Sequence, residues 1–170
     1  MPTTKRKATL TPVEAVQLHH EALVIDSQEP GATSGFLFTE NMKKAMDEYV
    51  AGGLSRGQIS TLLQAMAVRE IQTSAEARGE YMGLWKKAGV NVASATYAGA
   101  SPPDGSFQRS LTMIAEARGI IDALDKLELV LTGDDIERIY KTGKRGIIFD
   151  FQDTVPFGSN LDRIELFYNL

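Results

Sequence analysis

Apolar positions along the chain follow two rhythms. One recurs every three to four residues, as on a helix face, and the other is a short continuous or alternating run, as in a buried strand. Thr11-Pro12-Val13-Glu14 predicts a helix start: Thr11 caps, Pro12 suits the first helical position and Glu14 completes a capping box. That helix runs to about Ala22, and residues 23–26 (LVID) then read as a short buried strand. Residues 36–38 form an apolar patch in a loop, and Thr39 caps a helix through Val50 that Gly52-Gly53 end. Ser55 and Gln58 repeat the capping-box pattern and open a long helical stretch carrying Ile59, Leu62, Leu63, Met66 and Ile71. Helix resumes over residues 75–87 and stops at Gly89.

VNVASATY (residues 90–97) alternates as a second strand, and residues 98–105 form a loop. A helix over residues 106–124 and a short strand over 127–131 come next. Thr132 then caps a helix whose first turn carries Asp134 and Asp135, acids that suit the positive end of the helix dipole. Gly143 ends that helix, and residues 146–151 (GIIFDF) form a strong buried strand. Ser159 starts a last helix with Leu161, Ile164, Phe167 and Tyr168 on one face. Strands alternating with long helices predict an α/β fold with parallel strands, in a single domain over residues 1–170 with residues 1–10 as a flexible tail.

Composition removes several function classes. The formal net charge is -4, and the only basic cluster is Lys5-Arg6-Lys7, so no nucleic-acid partner is expected. No apolar run approaches the roughly 20 residues of a membrane helix. The amino terminus has basic residues but no apolar segment after them, so it does not read as a secretory signal. The expectation is a cytoplasmic protein that engages no membrane. The absence of cysteine excludes disulfides and thiolate metal sites.

Two polar clusters follow apolar strands: Asp26-Ser27-Gln28-Glu29, and Asp150-Phe151-Gln152-Asp153-Thr154. Parallel α/β folds build their sites at the carboxyl ends of strands. Carboxylates and carboxamides gathered there bind a cation, position water or hold a polar substrate. The other reading is that Asp and Ser end strands by bonding to turn backbone. His19 and His20 are adjacent, so they point to different helix faces and do not form an i, i+4 metal pair. No G-x-S-x-G elbow occurs, and Thr142-Gly143-Lys144 lacks the earlier glycine and following hydroxyl of a phosphate loop.

Three passages together resemble the membrane dipeptidase (renal dipeptidase) family of amidohydrolase-like barrels. HHEALVIDSQEP is similar to the family's first strand, V-[IV]-D-G-H-N-D. LELVLTGDDIERIYKTGKRGIIFDFQ is similar to its L-V-x-T-x-D-D-I-x-x-A-x-x-x-G-K-x-x-x-L-x-G-x-E passage, and FGSNLDRIELFYNL to the helix that follows. The resemblance implies the amino-terminal part of a (β/α)8 TIM-like barrel, and an activity that hydrolyses dipeptides through two zinc ions and a bridging water.

Carried over residue by residue, the resemblance places the family's leading aspartate on Asp26 and its first metal ligand, a histidine, on Gln28. The second ligand, an aspartate, falls on Pro30, and the bridging glutamate on Gln152. Carboxamides are poor zinc ligands, so the expected metal positions Gln28 and Gln152 carry the wrong donors. The remaining candidate residues are Asp26, Glu29, Asp150 and Asp153 as catalytic groups, with a dipeptide or other small amide as substrate. The resemblance puts the substrate's side-chain pockets on later loops, beyond Leu170. Three functions compete: a divergent dipeptidase-like hydrolase whose barrel is closed by a missing carboxyl-terminal half; a non-catalytic half-barrel that is stable as a homo-oligomer or with a separate half; and a metal-free hydrolase or lyase using Glu29 or Asp153 as general base.

Overall fold

A computed structural model describes residues 9–28, 37–97 and 104–170. Most of the expected amino-terminal tail, the candidates Glu29 and Pro30, Phe36, and most of the loop after the second strand lie outside the described residues.

The described residues form an α/β structure around one parallel sheet. Its strands are β1 (Ile25–Asp26), β2 (Val92–Thr96), β3 (Leu127–Leu129) and β4 (Arg145–Asp150). The helices are α1 (Pro12–Glu21), α2 (Glu40–Ala51), α3 (Arg56–Thr73), α4 (Ala75–Ala88), α5 (Ser106–Asp122), α6 (Gly133–Thr142) and α7 (Asp162–Tyr168). The caps are those the sequence signals. Thr11, Ser55 and Thr132 each close a capping box, and Gly89 and Gly143 end α4 and α6 in the left-handed conformation that glycine adopts without steric cost.

The strand order is β1-β2-β4-β3, all parallel. The chain passes from β2 through α5 to β3 at the sheet's edge, then returns through α6 to β4 in between. Parallel crossovers are right-handed, so a reversal of direction sends the returning helix to the opposite face. The packing agrees. Ala93, Ala95 and Tyr97 of the β2 segment join a core with Ile71 of α3, Trp85 of α4 and Ile114 of α5. Val92 packs on the other face with Val130 and with Ile139 of α6. Gly146 makes that second contact possible: a Cβ there would lie 2.7 Å from Val130 Cγ2 and 2.9 Å from Ile139 Cδ1.

Two departures from the sequence expectations have local causes. β1 is confined to Ile25 and Asp26, since it pairs only with β2 and carries no partner on its outer side among the described residues. The last helix starts at Asp162 rather than at Ser159, because a 3-10 turn at Val155–Phe157 and Gly158 at φ 56° intervene. α1 has no buried residue. It is tied down by polar contacts: His19 Nε2 lies 2.8 Å from the Ala88 carbonyl oxygen, and the Tyr140 hydroxyl donates to the Glu21 carbonyl at 2.7 Å.

Candidate functional site

Asp150 is the last residue of β4, and Thr96, its register partner, is the last of β2. Side chains alternate along a strand, so Ser94, Thr96 and Asp150 share the face opposite Ala93, Ala95 and Ile147. The Thr96 hydroxyl donates to Asp150 Oδ1 at 2.8 Å, and the Ser94 hydroxyl donates to Asp150 Oδ2. All three residues are half-buried. The carboxylate is therefore held in one orientation by both of its oxygens, each of which retains a lone pair for a further donor. Hydrogen bonds to an ionised acceptor are among the stronger ones, and here they come from a neighbouring strand rather than from the local turn.

The other sequence candidates are placed differently. Asp26 is paired with Ala93 in the sheet register, so its side chain belongs to the face opposite Asp150. Its Oδ1 accepts from the Gln28 backbone N–H at 3.1 Å. Asp153 Oδ1 accepts from the Val155 N–H at 2.9 Å and so opens the 3-10 turn. These are the turn-forming uses of aspartate that the sequence left open as an alternative. Gln28 and Gln152 are exposed. The sheet thus gathers Asp150 with two hydroxyls and does not gather Asp26 with it.

Zinc fits these residues poorly. The positions that the resemblance assigns to ligands and that are described hold two exposed carboxamides. Among the described residues no three His, Asp or Glu side chains are grouped so that they could hold a metal ion. Zinc sites use imidazole, thiolate or carboxylate donors.

An apolar cavity of about 200 Å³ has Asp150 in its wall. Ile114, Phe149, Phe151, Phe157, Ile164 and Phe167 line most of the rest. The rings stand edge to face: Phe151 and Phe167 have centroids 4.7 Å apart at 90°, an arrangement that favours the positive edge of one ring against the face of the other. Ser94, Thr96 and this cavity are the features that sequence reasoning passed over. The two hydroxyls had a signal in the spacing of VASAT, two of them on one face of a strand whose other face is alanine, and the cavity had none.

The largest perturbation of acidity lies elsewhere. Arg138 pairs with Asp135 at 2.8 Å, and the Leu131 and Thr132 backbone N–H groups also donate to this carboxylate, which holds Asp135 well below the usual carboxylate range. Lys144 and then Arg138 lower Glu128 in the same way. This ion network joins β3, α6 and the start of β4, and it serves the scaffold. Among the described residues no helix is long and apolar enough to cross a membrane. No protein-family model, no curated protein and no solved structure matches the chain.

Proposed function

We propose that the chain is a divergent member of the membrane dipeptidase family whose strand-end site binds a small amide, such as a dipeptide, without the family's two-zinc centre. The observation that carries this reading is the Asp150 carboxylate, held by Ser94 and Thr96 at the carboxyl end of adjacent parallel strands. That is where α/β folds of this kind place their ligands. A carboxylate fixed in this way accepts from an amide N–H or an ammonium group without first losing rotational freedom.

The strand order is compatible with this reading. Consecutive barrel strands are sheet neighbours, and β1, β2 and β4 are neighbours in that order. β3 then counts as a short additional strand, paired only with Arg145–Ile147 in the first half of β4. The test is calorimetric titration of a dipeptide into the purified protein, for the natural sequence and for Asp150→Asn. Binding that weakens at least about tenfold in the variant supports the reading, since a hydrogen bond to a charged group contributes about 1.5–3 kcal/mol. Equal binding in both, or none in either, contradicts it.

A second reading is favoured by one observation. The outer side of β1 has no strand partner among the described residues, and Leu23 and Ile25 there are 41% and 46% exposed. In that reading the chain is a non-catalytic half-barrel completed by a second copy or by a separate carboxyl-terminal half, because an open strand edge invites pairing. Light scattering discriminates the two: a monodisperse monomer excludes the homo-oligomeric form.

A further inference from the structure

A groove of about 450 Å³ lies between α2 and α3, and none of its lining residues belongs to the Asp150 cluster. Sites for small molecules typically enclose about 300–1,000 Å³, so the groove has room for one. One wall is apolar, built from Leu37 before α2, Met42 on α2, and Ile59, Leu63 and Ala67 on α3. Arg56, Ser60 and Gln64 recur every fourth residue and form a polar stripe along α3 beside that wall. All three are exposed, and their side chains make no hydrogen bond or ion pair among the described residues. No lining residue is acidic, so the groove carries an unpaired positive charge in a chain whose formal net charge is -4. Arg56 opens α3 and Ala67 lies about three turns on, about 16 Å along the helix axis. The groove is therefore elongated, apolar along its length and cationic at one end.

We propose that this groove binds a medium-chain alkyl carboxylate, with the chain along the apolar wall and the carboxylate at Arg56. The inference is independent of the amide-binding reading above. A guanidinium offers a carboxylate two parallel N–H donors, and the Ser60 hydroxyl one turn on is a further donor on the same helix face. Burial of the chain supplies the affinity, and Arg56 discriminates the acid from a neutral alcohol of the same length.

Calorimetric titrations of the full chain with hexanoate, decanoate and decanol, each below its micelle or solubility limit, test this. Decanoate is expected to bind at least about tenfold more tightly than hexanoate, since each fully buried CH2 contributes about fourfold in affinity. It should also bind more tightly than decanol, and Arg56→Gln should remove that second difference. Ser60→Trp fills the groove from an exposed position, so the fold should persist, with an unchanged circular dichroism spectrum and lost binding of decanoate. No saturable binding of decanoate, equal affinity for the two acids, an acid no tighter than the alcohol, or unchanged binding in Ser60→Trp would overturn the assignment. Absent decanoate binding together with a dimeric mass that Ser60→Trp returns to monomer would overturn it in favour of a second copy as the occupant.

Discussion

Three aspartates that look alike in the sequence do two kinds of work. Asp26 and Asp153 each accept from a backbone N–H two residues on, which is turn formation. Asp150 instead accepts from two hydroxyls on the neighbouring strand, which fixes a carboxylate at the strand end. Asp135 does a third job, in the scaffold. Its folded pKa is depressed, so the stability it contributes is fully present above the unfolded value of about 3.9 and is lost as pH falls through the folded value. Asp135→Asn is expected to lower the melting temperature at neutral pH. The gap to the natural protein should persist down to about pH 4 and close as the pH falls further, which thermal melts across an acid series would show. A gap that does not change with pH would contradict this account of Asp135. Strand-end aspartates were legible as candidates because their residue type and position are local properties. Which of them receives hydroxyl donors was not, because Ser94 and Asp150 meet only through the sheet register.

The elements themselves were largely legible. Capping boxes at Thr11, Ser55 and Thr132 and terminal glycines mark helix ends through chemistry confined to a few neighbouring residues. Strand existence followed from apolar runs, while strand order did not, since nothing local says that β4 enters between β2 and β3. That insertion is what makes Gly146 matter. It lets β4 lie against Val92, Val130 and Ile139, and an added methyl would meet all three side chains within 3.2 Å. Gly146→Ala should destabilise by about 1–3 kcal/mol, the usual cost of overpacking a filled core. Urea unfolding measures it, and an unchanged midpoint would mean that the contact between α6 and the sheet is looser than described. At the cap, Thr132→Ala should cost about 1 kcal/mol by removing the side-chain acceptor for the Asp135 N–H.

At the scale of the whole molecule, a parallel sheet carries helices on both faces, with the polar Asp150 cluster on one face and the aromatic cavity behind the other. The family resemblance was read from sequence passages. Under that resemblance the metal-donor positions fall on Gln28, Pro30 and Gln152. The cavity could not be read that way, because Ile114, Phe149 and Phe167 come from three separate elements. Elemental analysis of the purified protein is expected to find far less than the two zinc ions per chain of the family, and two per chain would refute the substituted-site account. The most direct test of the central claim is a calorimetric titration of alanyl-phenylalanine into chelator-treated protein and into its Asp150→Asn variant. The account predicts binding without metal that weakens at least about tenfold in the variant. Binding that appears only when zinc is restored, or that is indifferent to Asp150→Asn, would contradict it.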